Sequence, residues 1–100
     1  MDIGSIIKEL RKKKNITQIK FAELCQISQT YLSQIENNQK EPNLSTLKVI
    51  AEHLNVPLPI MFFLALDDED ISKEKREAFN LLSPSIKSMI HTFFSNDKNH

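Results

Sequence analysis

One hundred residues, 40% of them apolar, fit a single domain with a modest core, and one glycine with no strand-like alternation points to an all-α chain with short connections. The formal net charge is zero but unevenly divided: residues 1–56 hold eight Lys/Arg and six Asp/Glu, residues 57–100 five and seven. A lone cysteine, Cys25, rules out a disulfide framework or a cysteine zinc site within one chain, and His53, His91 and His100 stand at no ligand spacing, which leaves no catalytic or metal constellation.

The opening MDIGSIIKELRKKK puts its charges after a short apolar group rather than before a long one, so no signal peptide is expected. Within it, Ile3, Ile6, Ile7 and Leu10 make one helical stripe over Asp2–Lys14, which Asp2 can cap. Arg11, Lys12, Lys13 and Lys14 crowd the last turn, where they complement the helix dipole. Asn15 then suits a left-handed stop, with Ile16 as the hydrophobic residue behind it.

Thr17 to Glu36 reads TQIKFAELCQISQTYLSQIE. Two short amphipathic segments, Thr17–Cys25 and Gln29–Glu36, flank a break at Gln26-Ile27-Ser28, which is helix-turn-helix spacing. Thr17 and Ser28 are N-cap residues, and Ile16 with Phe21 and Ile27 with Leu32 make two hydrophobic staples. Phe21, Ala22, Leu24, Cys25, Ile27, Leu32 and Ile35 are expected in one shared core. Gln18, Gln29, Thr30, Ser33, Gln34 and Asn37 are left outside. Gln and Asn can pair with the N6/N7 edge of adenine, and Ser or Thr with several bases or a phosphate, so this face suits a major groove. The plainer alternative is an αα-hairpin whose polar side faces water.

The loop NNQKEPN, closed by Pro42, leads to Asn43 as the next cap and to a helix Leu44–Leu54 with Leu44, Leu47, Ile50, Ala51 and Leu54 on one face. Asn55 and Val56 repeat the stop used at Asn15 and Ile16. Residues 57–66, PLPIMFFLAL, are apolar throughout, and Pro57 or Pro59 fits a first helical turn. Ten residues are too few to span a membrane, which takes roughly 20. A helix apolar all round must be covered on more than one side. The acidic run DDED at 67–70 reads as a solvated connection that also starts a helix Ile71–Leu82; Ser83-Pro84 then opens a last helix with the stripe Ile86, Met89, Ile90 and Phe93. Residues 95–100 are expected to fray.

The segment TQxxFAxxC–xISxxYLSxIEN resembles the Cro/C1-type (XRE-like) helix-turn-helix family of phage repressors and bacterial regulators, and the likeness continues through Pro42, Leu47, Ala51, Leu54 and Val56. It implies a five-helix, lambda-repressor-like DNA-binding domain; its helix-turn-helix core is expected over residues 1–56, and residues 57–94, the fifth helix and two further short helices, form a C-terminal extension. Helix order gives base contacts to Gln29 and Gln34, with Ser33 on the same polar face, and phosphate contacts to Gln18 and, beside it, Lys12, Lys13 and Lys14; the resemblance adds base contacts from Thr30 and Tyr31 and phosphate contacts from Asn37, Asn38, Gln39 and Lys40. The Thr30-Tyr31 pair is similar to that of restriction–modification controllers, although Gln29 stands where those often have Arg. Arg11 and Glu36 match a pair that ties the first helix to the recognition helix; a solvated pair is the alternative. Gln26 stands where the family usually has Gly or Asn, so a left-handed conformation there costs on the order of 1 kcal/mol.

The resulting expectation is a cytoplasmic, sequence-specific transcriptional regulator, a repressor or autoregulator, binding double-stranded DNA as a homodimer on a palindromic operator. No cofactor, metal, membrane or small-molecule effector is indicated. Ile60, Met61, Phe62, Phe63, Leu64 and Leu66, with Ile86, Met89, Ile90 and Phe93, exceed what the core through Leu54 can cover and are expected at the dimer interface. The alternatives are a fold-back of the last helices over the 57–66 helix, or an antitoxin-like module whose C-terminal third binds a different protein.

Overall fold

Local capping chemistry sets the helix ends. In the computed structural model, which describes residues 1–95, Asp2 accepts the Ser5 N–H and starts α1 (Ile3–Lys13). Thr17 caps α2 (Gln18–Cys25), Ser28 caps α3 (Gln29–Glu36) and Asn43 caps α4 (Leu44–Leu54), each hydroxyl or amide oxygen accepting a backbone N–H three residues on. The same four helices end alike. Asn15, Gln26, Asn38 and Asn55 all have φ of 59°, and in each case the following N–H reaches back to a carbonyl five residues earlier, as Ile27 does to Ala22 O at 3.0 Å. Gln26 therefore adopts the left-handed conformation that a side chain bearing Cβ resists.

Pro57 opens α5 (Leu58–Ala65), which leaves α4 at 97° across the Asn55–Pro57 break. Among the described residues no single helix is long and apolar enough to cross a membrane. The core centres on Ile7, Phe21, Leu32, Ile35, Ile50, Leu54 and Met61, all fully buried, so α1 to α5 each contribute. The Asp2 N–H donates to Ala65 O at 2.9 Å and ties the two ends of this five-helix unit together.

Leu24, expected in the shared core, and Leu44, read on the apolar face of α4, are exposed. Both lie roughly 70–100° round their helices from the centre of the buried stripe, at 100° per residue. Phe21, Ala22 and Cys25 already fill the inward side of α2.

Beyond α5, residues 67–70 are exposed, in keeping with the solvated connection expected there. The acidic run is a folded turn, a 3-10 helix Asp68–Asp70 in which Asp67 accepts the Glu69 N–H and Asp70 accepts the Asp67 N–H. The Met1 amino group lies 3.0 Å from the Asp70 carboxylate, and these hydrogen bonds and the ammonium hold that carboxyl below its usual pKa. A second 3-10 turn, Lys73–Lys75, leads into one long helix, α6 (Arg76–Ser95), where two short helices were expected.

Pro84 lies inside α6 and does not start a helix. It removes one backbone hydrogen bond, but the helix continues through it, and the residues on either side share one inward stripe. Phe79 packs edge-on against Phe63 with ring centroids 6.4 Å apart, Ser83 is buried, Lys87 Nζ donates to Leu66 O at 3.2 Å, and Ile90 and Phe94 pack on the core. His91 Nδ1 sits 2.9 Å from Lys13 Nζ, and its Nε2 is 3.6 Å from Glu9, which docks α6 on α1.

The extension thus folds back within the chain. Met61 and Leu64, expected at a subunit interface, are core residues, and Ile60, Phe62 and Ile90 are half-buried against that core. The apolar circumference of α5 is covered on several sides by its own chain. Ser95 closes α6, and the rest of the tail expected to fray lies outside the described residues.

Cys25 is buried on the inward face of α2, and burial pushes its thiol from 9.0 up to about 11. Because the folded form holds the proton more tightly, this thiol contributes stability that is present below pH 9 and lost as pH rises toward 11. At pH 8 a thiol-specific reagent should label the native chain only as fast as it unfolds, and adding urea should speed labelling in step with loss of helical circular dichroism. Rapid labelling of the native protein would show Cys25 accessible.

Candidate nucleic-acid interface

The α2–α3 pair shows one polar side to solvent. Gln29 and Thr30, at the start of α3, are exposed, while Ser33 and Gln34 are half-buried one turn on. Tyr31 is half-buried with its side chain against the core, so less of it faces outward than of its neighbours. Past α3, Asn37, Gln39 and Lys40 are exposed in a loop that folds back on the helix, where the N–H groups of Gln39 and Lys40 both donate to Gln34 O, at 2.8 and 3.2 Å.

What holds α3 in place is a buried network behind that surface. Arg11 Nε donates to Glu36 Oε2 at 2.7 Å and Nη2 to Oε1 at 3.0 Å, a two-pronged pair whose side chains are almost wholly enclosed. Nη1 of Arg11 turns to Ile16 O at 2.8 Å, so the guanidinium also secures the turn between α1 and α2. Gln18 Nε2 donates to Glu36 Oε1 at 3.0 Å and its Oε1 accepts from Gln29 Nε2 at 3.4 Å. A chain of contacts therefore runs from the buried ion pair to the first residue of α3. It limits how the Gln29 amide can point before any ligand arrives.

The basic end of α1 precedes α2 by the turn that Arg11 secures at Ile16. Lys12 and Lys13 are exposed and Lys14 half-buried; Lys13 is also held by Glu9 at 3.5 Å and by His91. Among the described residues no group of His, Cys, Asp and Glu could hold a metal ion.

Asn38 occupies a place that sequence reasoning did not anticipate. Its Oδ1 accepts the Gly4 N–H at 3.2 Å and its Nδ2 donates to Asp2 at 2.6 Å, so the side chain is turned to the start of α1. That amide, and after it the Ser5 hydroxyl and then the Ser5 N–H, holds the Asp2 carboxyl below its usual pKa. An Asn just past a helix end, as at Asn15 and Asn55, marks a left-handed stop, but nothing local marks where its side chain turns.

Residues 7–60 match the family model HTH_3, Helix-turn-helix. The chain belongs to the helix-turn-helix family. Among curated proteins this helix-turn-helix chain is 32% identical over 80 residues to the immunity repressor protein of Bacillus phage phi105, covering 80% of this chain and 53% of that one. It is 39% identical over 59 residues to the ImmF control region 10 kDa protein of the same phage, covering 59% of this chain and 66% of that one. Control protein C.SmaI of Serratia marcescens is 33% identical over 63 residues, covering 59% of this chain and 75% of its own length. The chain spans 53% and 66% of the first two of these relatives. The matched span takes in α2 to α4 whole, most of α1 and the first turn of α5, and it leaves out α6.

Proposed function

We propose that this chain is a sequence-specific DNA-binding transcriptional regulator, a cytoplasmic repressor or autoregulator that acts as a homodimer on a palindromic operator. The observation that carries the reading is the exposed start of α3, Gln29 and Thr30, braced from behind through Gln18 by the Arg11–Glu36 pair, within a helix-turn-helix family domain. Two relatives carry the names repressor and control protein, which supports regulation rather than catalysis.

In this reading Gln29, Thr30 and Gln34 meet base edges, with Ser33 and Tyr31 beside them. Lys12, Lys13 and Lys14, together with Asn37, Gln39 and Lys40, meet phosphates, which position the domain without reading sequence. Gln18 serves a backbone contact and steadies Gln29. A single eight-residue helix reads few base pairs, and two related by a dyad read half-sites one helical turn apart or a multiple of it.

Selecting sites from random duplex DNA, then measuring variants on the enriched site and on unrelated DNA, tests this. Gln29→Ala should cost ~1–3 kcal/mol on the selected site and little on unrelated DNA. Lys12→Ala should weaken both alike and flatten the salt dependence. Failure to enrich any site would refute sequence-specific binding, and equal loss on all DNA from Gln29→Ala would refute base reading by that residue.

A further inference from the structure

The two faces of α6 differ in chemistry. Between Ala78 and Phe94 the only ionisable residues are Lys87 and His91, and both turn inward, Lys87 to Leu66 O and His91 to α1. The outer face carries Leu81, Leu82, Ile86, Met89 and Phe93, with exposures from 40% at Ile86 to 77% at Leu81. The residues flanking them, Asn80, Ser85, Ser88 and Thr92, are small or uncharged and also exposed. Leu82, Ile86, Met89 and Phe93 follow the 4-3-4 spacing of a helix-pairing seam.

We infer that this outer seam of α6 is where a second copy of the chain docks, antiparallel, about a two-fold axis passing between Ile86 and Met89. The inference rests on the dimeric reading above and narrows the expected interface to its α6 part, since Met61 and Leu64 of α5 are core residues. Three observations favour a second copy. The seam reads the same in both directions, so an antiparallel mate sets Leu82 against Phe93 and Ile86 against Met89, each contact made twice. It bears no charge, so a self-pair meets no like-charge repulsion, and the small flanking residues let two helices approach closely. The four seam side chains, 40% to 75% exposed, offer roughly 450 Å² per copy, so a pair buries on the order of 900 Å², the size of a weak, reversible contact.

The full chain carrying Leu82→Cys and Phe93→Cys together tests the register. Within one helix these positions are ~16 Å apart, far beyond the ~7 Å Cα separation a disulfide tolerates, so any bridge between them joins two chains. Mild oxidation should convert the double variant to a covalent dimer and leave either single variant uncrosslinked. In sedimentation the wild type should be a dimer at tens of micromolar and Met89→Asp, an exposed position, a monomer with unchanged helical circular dichroism. If Met89→Asp stays dimeric, or the double variant crosslinks no faster than the singles, the seam is wrong and the dimeric regulator stands. A wild-type monomer, or a stoichiometric complex with a different protein through α6, also overturns the seam; selection of palindromic DNA, scored on the same samples, reports separately on the regulator.

Discussion

Arg11→Ala is expected to destabilise the chain by ~3–5 kcal/mol, a large share of the ~5–15 kcal/mol that holds a domain of this size folded. The substitution leaves the Glu36 carboxylate enclosed with only the Gln18 amide to answer it, and it also releases Ile16 O at the turn into α2. Glu36→Ala should cost a similar amount, because it strands the guanidinium instead. The double variant Arg11→Met with Glu36→Leu should recover most of either loss, since a buried pair replaced by apolar side chains of similar volume removes both desolvation penalties together. Urea unfolding of the four proteins measures this. A loss under ~1 kcal/mol in both single variants would mean that the pair behaves as a solvated surface contact.

A second large effect is expected from the smallest substitution available. Gly4→Ala adds one methyl group in the first turn of α1, where helix propensity alone favours alanine by about 1 kcal/mol. A Cβ at this position would run into Ile35 O and Asn38 Oδ1 well inside van der Waals contact. Asn38 could swing away, at the expense of its bonds to Gly4 and Asp2, but the Ile35 carbonyl is backbone at the end of α3 and accepts the Asn38 N–H. Overpacking should therefore outweigh propensity, with a net loss of ~2–3 kcal/mol. Ser5→Ala, exposed in the same turn, is the control and should shift stability by no more than ~0.5 kcal/mol. Equal midpoints for the two variants in urea would refute the close approach of α1 and α3. If Gly4→Ala destabilises as expected, α3 should also sit differently on α1, and affinity for a selected DNA site should fall with it.

Both effects fall between elements some 25 to 34 residues apart in sequence, and there the limits of the sequence show. The pairing of Arg11 with Glu36 was legible through family resemblance and not through spacing. Nothing local distinguishes Arg11 from the three lysines that follow it. The contact between Gly4 and the end of α3 left no local trace at all, because a lone glycine near a helix start is compatible with many surroundings.

Asp2, Thr17, Ser28 and Asn43 specify helix starts, and Asn15, Gln26 and Asn55 specify stops, through hydrogen bonds that close within six residues. Those signals, with the apolar stripes between them, determined by themselves the first four helices and the polar face of α3. Tertiary structure alone decided which stripes end inside. Leu24 and Leu44 lost their expected burial because neighbouring positions filled the core first, and Met61 and Leu64 entered that core where a subunit surface was expected. It also decided that α6 continues through Pro84, because Phe79, Lys87, Ile90 and Phe94 find partners on the elements beneath both halves. Capping and periodicity act over a turn or two of backbone, whereas burial and helix continuation depend on which distant elements arrive to cover a surface.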